Sequence, residues 1–179
     1  LGKQSGFLFY VPAWNTSKID PTTGFVNLFD TRYENMAKAK AFFNSFNSIS
    51  YNKKQGYFEF DFDYSKFTSR ADETRSNWTV CTIGDRIKTF RDAEKLNHWI
   101  NDSIDLSTEW KSLFEKFLIE INADLQQQIL DQSSAMFYEK AMSLFKLTLQ
   151  MRNSICNSEV DYMISPVADK SGNFFDSRK

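Results

Sequence analysis

The chain has 179 residues, of which 16% are aromatic and 25% charged, and its formal net charge is −1. This length suffices for one buried core without disulfide support. The near-neutral charge excludes strong DNA binding by bulk electrostatics, because stand-alone nucleic-acid binders are usually basic. Cys81 and Cys156 are too few for a zinc site, and we expect both to be reduced thiols.

The sequence shows neither a secretory signal nor an apolar run of the roughly 18 residues that a membrane span requires. We therefore expect no membrane partner and a cytoplasmic location. The first residue is Leu1 rather than methionine, and the last is Lys179. We interpret residues 1–179 as a single domain excised from a longer protein.

The first half of the chain predicts mostly β structure. Aromatic and β-branched runs and apolar periodicity predict a strand at residues 7–11, a helix at 31–46, a hairpin at 49–64 and strands at 78–83 and 86–90. Alternation in the hairpin separates an aromatic face, Phe58, Phe60, Phe62 and Tyr64, from an acidic face, Glu59, Asp61 and Asp63.

The second half predicts mostly helices. One begins at Ser107 or Thr108 and has Leu118 among the residues of its apolar face, a short one covers residues 124–130, and a longer one begins after Ser133 or Ser134. A short strand is predicted near Met163. Strands early and helices late predict an α+β fold in which antiparallel strands pack with helices.

Several polar residues have both a chemical and an ordinary interpretation. The acidic face of the hairpin offers carboxylates for a metal, but alternate strand residues lie about 6.6–7 Å apart, which favours a solvated sheet face. His98 is the only histidine, and its neighbours indicate an ordinary helix or loop, which argues against serine and cysteine hydrolases. A basic stripe near a strand, Arg86, Lys88 and Arg91, is typical of a solvated sheet edge.

Arg152 is the strongest candidate site residue. It lies four residues beyond Thr148 and so continues the apolar stripe of the last predicted helix. A cation near a helix C-terminus is one ordinary explanation. A semi-buried arginine needs partners, and Ser154 and Asp161 are close enough in sequence to supply them. A guanidinium also suits a pair of phosphate oxygens, so a purely structural pair and a phosphate site both stay open.

Several segments resemble the Nuc lobe of type V-A CRISPR RNA-guided endonucleases, the Cpf or Cas-twelve-a family. The resembling segments are GFLFYVPA (6–13), TSKIDP (16–21), TGFV (23–26), YFEF (57–60), LQMRNS (149–154), DY (161–162), ISPV (164–167) and DSR (176–178). The similarity spans residues 6–178, and it is loose between residues 65 and 134.

The resemblance implies a Nuc domain that positions DNA, especially the target strand, for phosphodiester cleavage at an adjacent RuvC-like site. It implies accessory roles at that site for Arg152, Ser154 and Asp161, with Arg152 binding nucleic acid. Mg²⁺ is expected at the RuvC-like site of the whole protein. In this chain itself we expect neither a metal nor another cofactor. The implied partners are both DNA strands, guide RNA and the RuvC-like domain, in a bacterial cytoplasm.

Two alternatives stay open. In the first alternative, the domain is itself a metal-dependent DNase that uses Asp161 with other acids. In the second, it is a structural interaction module. The implied RuvC acids lie outside the domain, so we expect little nuclease activity from the chain alone, although it belongs to a hydrolase.

Overall fold

The structure is a computed structural model that describes residues 25–67, 77–91, 94, 99–121, 124–149, 155–156, 162–168 and 174–176. The strand predicted at residues 7–11 lies outside these ranges. The described helices are α1 (Met36–Asn44), α2 (Leu106–Lys116), α3 (Leu125–Asp131) and α4 (Ala135–Thr148). The described strands are β1 (Ser48–Asn52), β2 (Tyr57–Asp63), β3 (Asn77–Cys81), β4 (Asp85–Arg91), β5 (Trp99–Asp105), β6 (Ile155–Cys156), β7 (Tyr162–Ala168) and β8 (Phe174–Asp176).

All strand pairs among the described residues are antiparallel. The main sheet runs β1-β2-β3-β7-β6, and β8 also pairs with β7. Phe60 lies opposite Ile49 on one side and Val80 on the other, and Val80 lies opposite Val167. Strands β4 and β5 form a separate two-stranded sheet. The predicted α+β class is therefore confirmed, and the last part of the chain contributes strands to the main sheet.

The core lies between the main sheet and the helices and is built largely from aromatic rings. The ring of Phe145 in α4 lies 5.2–5.5 Å from those of Phe29, Phe42, Phe46 and Phe60, in edge-to-face arrangements. Such arrangements match the negative face of one ring with the positive edge of another. The predicted aromatic face of the hairpin is buried as expected, and so is the predicted apolar face of the last helix.

Each described helix begins at a side-chain cap. Asn35, Asp105, Asp124 and Ser134 accept hydrogen bonds from backbone amides in the first turns of α1, α2, α3 and α4. The prediction for Ser134 is confirmed. The prediction for α2 is wrong, because Asp105 at the end of β5 provides the cap.

Two further predictions are wrong. Trp99, expected next to His98 in a helix or loop, begins strand β5, and His98 itself lies outside the described residues. Leu118, expected on the apolar face of α2, is 90% exposed. Helix α2 ends at Lys116, so the helical periodicity no longer places Leu118 on the buried face. No helix in the described part of the chain is both long and apolar enough to cross a bilayer.

Candidate functional site

Four polar side chains are buried where the ends of α4 and β3 meet the beginnings of α2 and β4. We call this cluster the polar junction: Thr82, Arg86, Ser107 and Thr148. Burying polar groups costs free energy unless they are hydrogen-bonded, so their partners define the arrangement. The four residues lie in or directly after four different elements, β3, β4, α2 and α4, so the polar junction connects these elements.

Arg86 lies at the centre of the polar junction and is completely buried. Its Nη1 donates to the carbonyl oxygens of Ile83 at 3.1 Å and Asp85 at 2.8 Å. Its Nη2 donates to the carbonyl oxygen of Thr148, the last residue of α4, at 3.2 Å. The carbonyl end of a helix carries partial negative charge, so this position favours a cation. One guanidinium thus connects the β3–β4 turn to the end of α4.

The β3–β4 turn is fixed from its other side by Thr82 and Ser107. The amide of Phe58 in β2 donates to Thr82 Oγ1 at 3.0 Å, and the Thr82 amide donates to the Phe58 carbonyl at 3.0 Å. Ser107 Oγ lies 2.8 Å from Thr82 Oγ1 and donates to the Thr82 carbonyl at 2.9 Å. Ser107, which the sequence predicted as a helix cap, is therefore engaged with the turn.

Gly84 permits the turn that brings Arg86 inward. Its φ is +73°, a left-handed conformation that residues with a Cβ seldom adopt. The expectation that Arg86 forms part of a solvated basic edge is wrong, because its guanidinium faces the α4 terminus. The side chains of Lys88 and Arg91 lie outside what the structure describes. The sequence signal for an inward-facing Arg86 was the glycine of the turn just before it. The acceptor of its hydrogen bond, the Thr148 carbonyl, is 62 residues away in the chain, so local patterns did not indicate the contact.

Next to the junction, Cys81 is a free, fully buried thiol. Burial raises its pKa, because the thiolate would lose its hydration. The neutral thiol is therefore the form present at physiological pH, and it is a poor nucleophile.

The acidic face of the hairpin is used within the sheet. Asp61 accepts hydrogen bonds from Ser48 and Thr79 on the two neighbouring strands, and Glu59 accepts one from Asn52. Hydrogen bonds from Ser65 lower the pKa of Asp63. Within the described ranges, no three His, Cys, Asp or Glu side chains are grouped so that they could hold a metal ion. These carboxylates therefore serve as hydrogen-bond acceptors for neighbouring residues.

The predicted site residues Arg152, Ser154 and Asp161 lie outside the described residues. The described backbone reaches both flanks of this segment. Helix α4 ends at Thr148, and strands β6 and β7 begin at Ile155 and Tyr162, directly after Ser154 and Asp161 in the chain. Cys156 and Tyr162 lie opposite each other in the antiparallel pair of β6 and β7.

The described residues form an α+β fold of antiparallel strands packed with helices, with the arginine-centred polar junction at the end of α4. In the chain, α4 is followed by the segment that contains Arg152, Ser154 and Asp161. A family model described as "NUC: Nuclease domain" matches residues 19–179. The chain therefore belongs to the Nuc nuclease-domain family, the Nuc domain found in type V-A Cas12a proteins. The matched range includes Arg152, Ser154 and Asp161.

Proposed function

We propose that this chain is the Nuc domain of a CRISPR-associated RNA-guided DNA endonuclease and positions DNA for cleavage at an adjacent RuvC-like site. The observation that carries the proposal is membership of the nuclease-domain family over residues 19–179. The family-like segments LQMRNS and DY lie within that range. The target strand is the strand that we expect the domain to guide.

In this proposal Arg152 contacts the scissile phosphate and stabilises the negative charge that develops there. A positioned guanidinium is effective in a water-poor cleft, because its dipoles need no reorganisation during the reaction. Ser154 donates a hydrogen bond to the phosphate or fixes the guanidinium. Asp161 orients Arg152 or pairs with it until DNA arrives. Sequence recognition belongs to the guide RNA, and the protein handles shape and backbone.

The metal chemistry belongs to the RuvC-like domain of the same polypeptide. Within the described residues, no three His, Cys, Asp or Glu side chains are grouped so that they could hold a metal ion, which supports this assignment. Mg²⁺ bound by the RuvC-like carboxylates would supply the activated water. The working location is the bacterial cytoplasm, where guide RNA and both DNA strands are available.

The decisive experiment is Arg152→Ala in the RNA-guided nuclease that carries this domain. We expect single-turnover cleavage of the target strand at saturating DNA to fall about 10²- to 10³-fold, as for loss of one preorganised charge stabiliser. The control is Arg32→Ala, since Arg32 is an exposed arginine that pairs with Asp30. Unchanged cleavage, or a loss that only follows a lower melting temperature, contradicts the proposal.

The metal-dependent DNase alternative is tested on the purified domain with single-stranded DNA. Cleavage that requires Mg²⁺, stops on chelation and disappears in Asp161→Ala would replace the present proposal. We expect no such cleavage, because the bond-breaking metals are assigned to the neighbouring domain.

A further inference from the structure

A groove of about 340 Å³ lies on the surface between helices α2 and α4. Lys140 of α4 pairs with Glu109, in the first turn of α2, at 3.1 Å. Lys116, in the last turn of α2, donates to the sulfur of Met136, in the first turn of α4, at 3.7 Å. The two helices therefore run antiparallel along the groove, and such a groove can accept a third helix.

The floor of the groove is apolar and partly open to solvent. Leu113 is buried, Phe117 is half-buried, and Met136 is 57% exposed. The ring of Phe117 is held against the core, since its centroid lies 5.3 Å from that of Phe137. Methionine is unbranched and flexible, so it adapts to the shape of a partner. A fixed aromatic surface next to an adaptable one suits the apolar side chains of an occupant.

The residue after Phe117 adds a second exposed apolar side chain at the end of α2. Leu118 is 90% exposed and has a φ of +56°. This left-handed conformation is unfavourable for leucine, and the side chain gains no burial among the described residues. A strained and exposed leucine directly after a residue of the groove favours a contact surface at this end of α2.

The charges along the groove define the chemistry of its occupant. Lys140 is neutralised by Glu109, whereas no carboxylate of the described residues lies within ion-pair distance of Lys116. The ammonium of Lys116 contacts only weak partners there, the sulfur of Met136 and, at 5.8 Å, the ring of Phe117. A carboxylate next to apolar side chains complements this arrangement. A nucleic-acid backbone does not, because its binding requires several cations and is opposed by the carboxylate of Glu109.

We propose that an amphipathic helix from another part of the same polypeptide docks in this groove, an inference that rests on the proposed function for the existence of that larger polypeptide. Its apolar side chains, spaced by three and four residues, pack on Phe117 and Met136, and one of its carboxylates pairs with Lys116. A stable complex with a free protein involves about 20–30 residues on each side, which exceeds this groove. A tethered helix is present at a high effective concentration, so a small interface suffices.

The test uses the RNA-guided nuclease that carries this domain. The photo-cross-linker p-benzoylphenylalanine is placed at Ser112, an exposed residue of the groove, and in a control protein at Ser50, an exposed residue of β1. We expect Ser112 to capture a segment outside residues 1–179 in which apolar and acidic residues recur at spacings of three and four. Capture of DNA, guide RNA or a second copy of the chain overturns the proposal. So does the absence of a light-dependent product, or capture of the same segment from Ser50.

Charge reversal tests the part assigned to Lys116. Lys116→Glu places a like charge against the carboxylate of the docked helix, so the cross-link yield from Ser112 should fall at least about tenfold. The control is Lys146→Glu. Both lysines are exposed in the last turns of their helices, so both reversals disturb the helix dipole in the same way. Exchanging the facing acid of the captured segment for lysine should restore the yield in Lys116→Glu, and equal yields in the two reversed variants overturn the proposal.

A second readout needs no cross-linker and so covers the case in which its insertion disturbs α2. Dilute hydrogen peroxide converts accessible methionine to the sulfoxide, and peptide mass spectrometry follows each position. A docked helix covers Met136, so its oxidation relative to Met36 of α1 should be several-fold faster in Lys116→Glu than in the wild type or in Lys146→Glu. The exchange of the facing acid for lysine should slow it again. Equal oxidation of Met136 in all these proteins overturns the proposal.

Neither readout depends on DNA cleavage, so the two proposals fail separately. An Arg152→Ala enzyme that cleaves normally contradicts the proposed function while the cross-link from Ser112 persists. A groove that captures no helix overturns the docking site and leaves the role proposed for Arg152 as it was.

Discussion

Helices α2 and α4 both end with backbone carbonyls that have no partner within the helix, and they satisfy them by different means. Helix α2 ends largely through its own backbone. The amide of Leu118 donates to Glu115 and that of Ile119 to Phe114, at 3.2 and 2.9 Å, which together form a Schellman motif. This arrangement puts Leu118 at a φ of +56°, where glycine is the usual residue. The adjoining cap carbonyl of Phe117 accepts a longer bond, 3.4 Å, from Gln132.

Helix α4 instead receives a donor from far away in the chain. Arg86 reaches the carbonyl of Thr148 across 62 residues. Helix α1 resembles α4 in this respect, whereas the donor at the end of α3 comes from α4, nine residues away in the chain. Gln126 donates to the carbonyls of Phe43 and Phe46 around the end of α1, and the Tyr138 hydroxyl donates to Ile129 near the end of α3.

The difference shows what each cap can control. A cap made by the helix itself fixes the path of the next few residues but not their place in the domain. A side chain from another element ties the helix end to the rest of the fold. Helix α4, which leads to Arg152, is tied by a planar guanidinium with two further hydrogen bonds to the β3–β4 turn.

The largest effect on stability is expected from Arg86→Met. The substitution removes three charged hydrogen bonds and leaves the buried carbonyl of Thr148 without this donor, so the free energy of unfolding should fall by about 3 kcal/mol. Urea denaturation of the domain measures it. Arg32→Met, at an exposed ion pair, should cost less than about 1 kcal/mol. Equal losses in the two variants would remove the distinction drawn between the helix ends.

A smaller effect, with a characteristic pH dependence, is expected from Tyr138→Phe. Loss of the hydroxyl bond to Ile129 should cost about 1–2 kcal/mol near pH 7. Burial raises the pKa of Tyr138 from its usual 10.0 to about 12. The unfolded chain therefore ionises first as the pH rises, and the stabilising contribution present below pH 10 is lost as the pH approaches 12.

The unfolding free energy of Tyr138→Phe should accordingly fall less steeply than that of the wild type above pH 10. Tyr57 and Tyr64, whose pKa values burial also raises to about 12, retain part of the alkaline loss in both proteins. Tyr51→Phe, at a partly buried ring, is the control. Parallel alkaline slopes for wild type and Tyr138→Phe would show that folding does not raise the pKa of Tyr138.

The smallest effect is expected at the self-made cap of α2. Leu118→Gly removes the steric cost of a left-handed leucine and should raise the free energy of unfolding by about 0.5–1 kcal/mol. Leu118→Ala retains the Cβ and should change it little, although it also removes the exposed apolar side chain. Chemical denaturation of the three proteins decides the point, and a destabilised Leu118→Gly would mean that this leucine makes contacts that stabilise the cap.

The parts of the fold that follow from local periodicity were predictable. Alternation fixed which face of the hairpin holds Phe58, Phe60 and Phe62, and spacing by three and four fixed the buried face of α4. The α+β class followed from the order of these elements. The resemblance to the Nuc family came from short sequence segments, and the family match confirms it.

The parts that depend on distant residues were not predictable. A stripe of basic residues gave no sign that Arg86 turns inward, because its acceptor on Thr148 belongs to another part of the chain. The pattern also gave no sign that β3 and β4 belong to different sheets, since both read as ordinary strands. The roles of Arg152, Ser154 and Asp161 stay predictions, since they were inferred from the resemblance and lie outside the described residues.

The buried thiol of Cys81 can serve as a probe of local opening in this domain. Cys81 lies directly before Thr82 in the chain. A disulfide reagent in solution can therefore reach its buried thiol only when the sheet next to Arg86 opens. Native-state thiol exchange then reads out how often that opening occurs and how much free energy it requires. A weakened contact between Arg86 and Thr148 would be detected as faster labelling of Cys81, well before the domain melts.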